Sequence, residues 1–262
     1  MRLMVGEIEK LSKGNTFMWF NIEVRGHQCE VFEPVTANAD GPVVIYLHGV
    51  HLGRLQDKPV FTEQFEKHGL RVIGPRTQRS WWTDVICEEF DREITAEQYL
   101  LEHILPFIEQ RWGHNGRETA LMGTSMGGQG ALRFAYKYPN TFPVVAAISP
   151  AIDYHLRMKR GEDETLPGMY ADPEAARQDT ALLHIHPLNW PRHQFLCCDP
   201  TDRDWFSGVE RMQMKLYSLG IPHEHDFDTV AGGHSGDYYD AQAVKVVEFI
   251  VQRLEQERQR SV

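Results

Sequence analysis

The segment ALMGTSMGGQGA, from Ala120 to Ala131, determines the fold of this 262-residue chain. An apolar stretch that predicts a β-strand leads into a stretch that predicts a helix, with the pattern Gly-x-Ser-x-Gly at 123–127 between them. A serine on so tight a turn has a strained backbone, so the residues two before and two after it need minimal side chains. The turn lifts the hydroxyl above the sheet, beside the N–H groups that begin the helix. We therefore predict that Ser125 is a nucleophile.

Around this turn, segments typical of strands alternate with segments typical of helices. The first strand after residue 42 is almost continuously apolar, as expected of a strand that is covered on both faces. Such alternation implies a mostly parallel sheet with helices on both faces. With the serine turn, it predicts an α/β-hydrolase fold. The predicted strands are Val43–Gly49, Leu70–Pro75, Glu118–Gly123, Phe142–Ser149, His193–Asp199 and His223–Val230.

Two sections depart from this alternation. The segments Thr16–Val24 and Gln28–Val35 are rich in aromatic and β-branched residues and flank a turn, so they predict an N-terminal antiparallel hairpin. Residues 152–193 are mixed, partly acidic and interrupted by four prolines. We interpret that section as a cap-like insertion over one end of the sheet, within a single domain that spans residues 1–262.

One helix carries clear local signals. The stretch Thr95–Trp112 has an apolar stripe, and Thr95 and Gln98 have the spacing of a capping box. Pro106 lies inside the stretch and lacks a backbone N–H. We therefore expect a kinked helix that begins at Thr95.

Composition excludes several classes of protein. The net charge of −10 and the lack of a basic stripe argue against binding of nucleic acid. The sequence has no apolar run long enough to span a membrane. Charged residues occur within the first 20 positions, where a signal peptide would have an uninterrupted apolar segment. This favours a cytoplasmic location. Four unevenly spaced cysteines do not form a disulfide framework.

A candidate base for the serine lies near the end of the chain. In an α/β-hydrolase fold the order along the chain is serine, acid, histidine. His234 follows the last predicted strand and precedes the last predicted helix. Gly232 and Gly233 let the backbone bend so that the imidazole can reach the serine. We predict that His234 is the general base.

The acid is expected in the loop after the strand that ends near residue 199. Asp204 is the preferred candidate, because Trp205 and Phe206 can shield its carboxylate and so strengthen a hydrogen bond to the histidine. Asp202 and Asp199 in the same loop are further candidates. Asp153 is another, since it follows the preceding strand.

The oxyanion hole requires two backbone donors. One is the N–H of the residue after the nucleophile, Met126. The other is expected in the loop after strand Val43–Gly49, where we choose Val50, with His51 as a neighbouring substrate contact.

Four segments carry a family resemblance: YLHGV (46–50), SWWTD (80–84), GTSMGGQGAL (123–132) and GGHSGDYY (232–239). They resemble the esterase group that includes esterase D, S-formylglutathione hydrolases, feruloyl esterases and the antigen 85 acyltransferases. In that group the acid lies in a G-x-x-D-x-F loop, which favours Asp204, although Thr201 stands where the glycine would be. The resemblance also implies a substrate groove. Its candidate lining is Trp81, Trp82, Tyr238 and Tyr239, for which packing in the core is the alternative.

These observations predict a serine carboxylic-ester hydrolase that acts on a small-molecule ester through an acyl-enzyme. We expect neither cofactor nor metal, because the two His-x-His pairs at 184/186 and 223/225 lack a third ligand. One alternative is an acyltransferase with the same triad, in which a sugar or alcohol replaces water. A second is a catalytically inactive member of the fold that serves as a binding module.

Overall fold

The computed structural model describes residues 18–35 and 41–260. Eight strands form one sheet in the order β1-β2-β4-β3-β5-β6-β7-β8. The pairs β1–β2 and β2–β4 are antiparallel, and all pairs from β4 to β8 are parallel. The hairpin is thus confirmed, although its predicted first residues, Thr16 and Phe17, lie outside the described residues. The strands are β1 Met18–Val24, β2 His27–Glu33, β3 Val43–Leu47, β4 Arg71–Pro75, β5 Thr119–Thr124, β6 Val144–Ile148, β7 His193–Cys197 and β8 Glu224–Asp226.

Helices cover both faces of this sheet, which confirms the predicted fold class. Helices α1 and α10 supply apolar side chains to the core on one face, and α3, α4 and α9 supply those on the other. Strands β3 to β6 are buried along their whole length. The helices are α1 Pro59–Lys67, α2 Ala96–Tyr99, α3 Leu105–Trp112, α4 Met126–Lys137, α5 Tyr154–Arg160, α6 Leu166–Met169, α7 Pro173–Gln178, α8 Ala181–His184, α9 Phe206–Ser218 and α10 Gly236–Arg260.

The strand order reverses direction between β3 and β5. From β3 the chain moves outward to β4 and then returns to β5 on the other side of β3. In open α/β sheets, the loops that leave two such strands diverge and form a crevice at their carboxyl ends, where ligands bind. The loop after β3 and the turn after β5 therefore meet at this point.

The helical stretch that begins at Thr95 is more irregular than a simple kink. The capping box is present: the Thr95 hydroxyl accepts from the N–H of Gln98, and the Gln98 side chain accepts from the N–H of Thr95. A π-helical turn, Leu100–Ile104, then separates α2 from α3. Pro106 follows this turn within a backbone that stays helical from Ala96 to Trp112, so its missing N–H removes one bond from the helical ladder. The predicted kink thus takes the form of a π turn.

The section 152–193 contains the four short helices α5 to α8, between β6 and β7. A buried ionic network attaches it to the rest of the molecule. Arg133 on α4 is 1% exposed and donates both to Glu97 and to Asp179 at the end of α7. Burial alone would raise the pKa of Asp179, but His184, Arg133 and Tyr170 hold it at about 2. A role of this section as a cap stays a prediction.

In the described part of the chain, no helix combines the length and the apolar character that crossing a membrane requires.

We expect Arg133→Met to lower the free energy of unfolding by about 3 kcal/mol, because it leaves two carboxylates without their shared buried partner. Urea denaturation at neutral pH measures the change. Arg177→Met is the matched control, since its pair with Glu174 is exposed and should contribute little to stability. Equal losses of unfolding free energy in Arg133→Met and Arg177→Met would show that the buried network does not hold residues 152–193 in place.

Candidate active site

Ser125 occupies a strained turn between β5 and α4. Its backbone has φ +55° and ψ −117°, in a region that non-glycine residues rarely adopt. Two hydrogen bonds hold it there: its N–H donates to Ile148 O at 2.9 Å, and its carbonyl accepts from Ala151 N at 3.0 Å. Neighbouring strand β6 and its loop therefore fix the turn, as the persistence of such strain requires.

The glycines of the pattern are required by close approach of the backbone. A Cβ on Gly127 would lie 1.8 Å from Leu47 O, and a Cβ on Gly123 would lie 2.1 Å from Gly127 O. Real atoms cannot approach so closely, so any side chain would separate α4 from β3. This contact brings the start of α4, and Ser125 with it, against the loop that follows β3.

Three side chains from different loops form a chain of hydrogen bonds. Ser125 Oγ lies 2.9 Å from His234 Nε2, and His234 Nδ1 lies 2.8 Å from Asp202 Oδ2. The Asp202 side chain is 1% exposed and that of His234 is 23% exposed. The Asp202 carboxylate is thus shielded from water, while the imidazole remains open to a ligand.

This geometry corrects the prediction of Asp204 as the acid, because the carboxylate that meets His234 belongs to Asp202. The second oxygen of Asp202 accepts from the N–H groups of Asp204 and Trp205, both at 3.1 Å, in the turn that begins α9. That turn directs the Asp204 side chain into solvent. Trp205 is buried and packs near the imidazole. The ring that we expected to shield the Asp204 carboxylate thus lies beside the contact between His234 and Asp202. The Asp153 carboxylate pairs with Arg211 instead of the histidine.

Asp199 joins the loop of Asp202 to the loop of His234, and its carboxylate bonds to groups other than the imidazole. One of its oxygens accepts from Ala231 N at 2.7 Å and Gly233 N at 2.8 Å. The other accepts from the N–H and the hydroxyl of Thr201, both at 2.7 Å. Burial alone would raise the pKa of Asp199, but the hydrogen bonds from Thr201, Ala231 and Gly233 lower it to about 2. An aspartate that ends a strand is the only sequence signal that accompanies this role.

The predicted oxyanion donors lie on the two segments that meet at the strand crossover. Met126 begins α4, and Val50 lies in the loop after β3, where a Cβ on Gly49 would lie 3.3 Å from Ser125 Cβ. His48 fixes this loop: its Nδ1 donates to Gly49 O at 2.9 Å, and its Nε2 accepts from Thr77 N at 3.2 Å. Burial lowers the pKa of His48 to about 4, which keeps the ring neutral, as these two bonds require.

Three aromatic residues predicted as tentative substrate contacts lie in the core instead. Trp81, Trp82 and Tyr238 are each 1% exposed or less. The Trp81 ring stacks on Tyr154, and Trp82 Nε1 donates to His48 O at 3.1 Å. Trp82 therefore supports the loop after β3 from beneath rather than facing a ligand. His51 is exposed on that loop, and its contact with substrate stays a prediction.

Tyr239, which follows Tyr238, reaches the site. Its hydroxyl lies 3.0 Å from His234 Nε2. Two tyrosines in succession near the start of a helix face different directions, so the sequence alone did not distinguish the buried ring from the ring at the site.

The histidine pairs considered as metal ligands serve other contacts. His184 Nε2 bonds to Asp179 Oδ1 at 3.0 Å, while His223 and His225 lie beside each other near Tyr217. Within residues 18–35 and 41–260, no three His, Cys, Asp or Glu side chains are grouped as a metal site requires.

Comparison with known proteins gives the family. The model of the "Putative esterase" family matches residues 27–250 of this chain. The match includes the turn at Ser125 and the loops that carry Asp202 and His234. The chain belongs to that esterase family. The resemblance inferred from the sequence is thus confirmed, and the chain is an enzyme of the carboxylic-ester hydrolase class. A search of curated proteins gave no match.

Solved structures with the same fold include hydrolases and a transferase. A ferulic acid esterase has a TM-score of 0.71 at 14% identity, over 90% of this chain and 98% of its own. An S-formylglutathione hydrolase from Agrobacterium tumefaciens has a TM-score of 0.71 at 18% identity, over 95% and 100%. The capsule O-acetyltransferase of Neisseria meningitidis serogroup A has a TM-score of 0.62 at 16% identity, over 94% and 100%. At these identities the likeness shows a shared fold.

We expect Asp199→Asn to destabilise the esterase by about 2 kcal/mol at pH 7, because an amide can accept on one side only and leaves the donors on its other side unpaired. The lowered pKa of Asp199 gives stability that is complete above the unfolded value near 4 and is lost as the pH falls through about 2. The difference between wild type and variant in urea denaturation should therefore shrink over that range. Asp228→Asn, an exposed control, should change stability by less than about 0.5 kcal/mol. A difference that does not vary with pH would contradict this account.

Proposed function

We propose that this esterase hydrolyses a small-molecule carboxylic ester through an acyl-enzyme on Ser125, with His234 as general base and Asp202 as the acid that orients it. The observation that carries the proposal is the unbroken pair of hydrogen bonds from Ser125 Oγ through the imidazole to the Asp202 carboxylate. Serine and histidine lie within the distance that proton transfer requires.

Asp202 would set the tautomer of the imidazole. A carboxylate oxygen at Nδ1 favours the form that carries its proton there, so Nε2 presents a lone pair to the Ser125 hydroxyl. As Ser125 Oγ attacks the ester carbonyl carbon, its proton passes to Nε2. The buried carboxylate then stabilises the imidazolium that results.

The negative charge that forms on the carbonyl oxygen would be held by the backbone N–H groups of Val50 and Met126. Met126 is the first residue of α4, so the positive end of a 12-residue helix adds to the stabilisation. Nε2–H next protonates the leaving oxygen as its bond to carbon breaks. Water then attacks the acyl carbon, gives its proton to Nε2, and Ser125 recovers a proton when the acid departs.

The transferase alternative uses the same residues, with an alcohol in place of water. Product analysis with added acceptor alcohols separates the two outcomes. A cytoplasmic location also stays a prediction.

A fluorophosphonate probe should label the wild-type enzyme covalently, because the activated Ser125 hydroxyl attacks the phosphorus atom. Ser125→Ala should abolish labelling, as seen by intact-protein mass spectrometry. Ser207→Ala, a control at an exposed serine on α9, should label like the wild type. Unlabelled wild-type protein would indicate the inactive binding module.

Asp202→Asn should reduce kcat by about 10³-fold or more, because an amide at Nδ1 favours the wrong imidazole tautomer. Asp204→Asn is the matched control in the same loop and should change kcat less than about twofold. Steady-state hydrolysis of p-nitrophenyl esters measures both variants. A large loss in Asp204→Asn, with Asp202→Asn nearly normal, would return the role to Asp204.

A further inference from the structure

Tyr239 places a second hydroxyl at the reactive nitrogen of the histidine. Its oxygen lies 3.0 Å from His234 Nε2, and the two rings are nearly perpendicular, at 88°, with centroids 5.8 Å apart. Ser125 Oγ lies 2.9 Å from the same nitrogen. The tyrosine oxygen, the serine oxygen and the imidazole nitrogen thus form one cluster.

The fold holds the Tyr239 ring in this place. The half-buried ring packs against the core cluster on the α10 face of the sheet, which includes Tyr46. Lys58 on the α1 side donates to Gly236 O at 3.4 Å and to Asp240 at 3.2 Å, on both sides of Tyr239 in sequence. The first turn of α10 is therefore attached to the rest of the molecule where it carries the tyrosine.

In the resting enzyme two hydroxyls compete for one lone pair. With the Nδ1 proton directed at Asp202, Nε2 has a single lone pair, and both Ser125 and Tyr239 lie within hydrogen-bonding distance of it. Burial raises the pKa of Tyr239 well above its usual range, so the phenol keeps its proton and can act as a donor. When Ser125 donates to Nε2, the Tyr239 proton is available for another acceptor nearby.

The position of the Tyr239 hydroxyl relative to His234 Nε2 identifies the acceptor of its proton. In the tetrahedral intermediate the oxyanion faces the N–H of Met126, on the helix side of Ser125. The leaving oxygen faces Nε2 instead, because it receives its proton there. The Tyr239 hydroxyl, 3.0 Å from the same nitrogen, is therefore within reach of the leaving oxygen.

Resting on the function proposed above, we propose that the Tyr239 hydroxyl binds the oxygen that leaves in acylation and the oxygen of the attacking water in deacylation. In acylation the bond from carbon to the alcohol oxygen breaks, and the proton on Nε2 passes to that oxygen. In deacylation the water oxygen bonds to the acyl carbon, and its proton passes to Nε2. Tyr239 donates a hydrogen bond in both steps and keeps its proton.

Tyr239→Phe tests this, because it removes the hydroxyl and retains the packed ring. The experiment compares kcat/KM, which reports acylation, for an ethyl ester and a p-nitrophenyl ester of the same acid. An ethoxide oxygen is strongly basic and needs a donor as it leaves, whereas p-nitrophenolate needs little help. We expect a loss of about tenfold for the ethyl ester and of less than about twofold for the p-nitrophenyl ester.

Tyr217→Phe is the matched control, since Tyr217 is 62% exposed and contacts His223, and both esters should be unaffected. Equal losses for the two esters in Tyr239→Phe would overturn the proposal, because they indicate a role in orienting His234 or in binding the oxyanion. Unchanged values for both esters would overturn it too. A thermal melt of Tyr239→Phe within a few degrees of the wild type excludes a folding defect as the cause of any loss.

The failure of the proposed function has a different signature. A wild-type protein that turns over neither ester and resists the fluorophosphonate probe would overturn both proposals. Normal labelling at Ser125 with equal losses in Tyr239→Phe would overturn the role of Tyr239 alone.

Discussion

The contact between the start of α4 and the end of β3 is the constraint on which the site depends. Because Gly127 approaches Leu47 O at a distance that no side chain permits, the turn before α4 must be tight, and Ser125 takes a positive φ. The same approach brings the N–H of Met126 beside the loop that carries Val50. One backbone contact thus positions both the serine hydroxyl and the two N–H groups that we propose hold the developing charge. The hydrogen bonds from β6 and its loop then maintain the strain.

A second set of contacts joins the loops that carry Asp202 and His234, the proposed acid and base. The two are 32 residues apart in sequence, and separate strands deliver them to the same edge of the sheet. Asp199 bonds to backbone groups of both loops and so fixes their separation. His48 does the same for the loop after β3. These two buried groups react with nothing in the proposed chemistry, yet they set the distances on which it depends.

The sequence was sufficient for features that depend on short-range pattern. The strand and helix flanking Ser125, the hairpin, and the capping box at Thr95 all follow from local spacing, and the structure contains each of them. The sequence did not show that Asp202 rather than Asp204 meets His234. That outcome depends on a turn in which the N–H groups of residues 204 and 205 donate to Asp202, and such a turn has no distinct sequence pattern. Tyr238 and Tyr239 posed a similar problem, since helix rotation decides which ring enters the core. His48 carries no sequence signal for its role, and Asp199 carries only its place at the end of a strand, because most of their partners are backbone groups brought together by the fold.

The two oxygens of Asp202 serve different purposes, and this limits how the enzyme can diverge. One oxygen meets the imidazole, and the other accepts from the two N–H groups where α9 begins. Under the proposed function, a lineage that moved the acid to position 204 and replaced Asp202 would also lose the carboxylate that holds the turn before α9. Intermediate sequences would suffer in both folding and turnover. We therefore expect substitutions to accumulate at the exposed positions of this loop, while position 202 stays an aspartate in any descendant that keeps the helix.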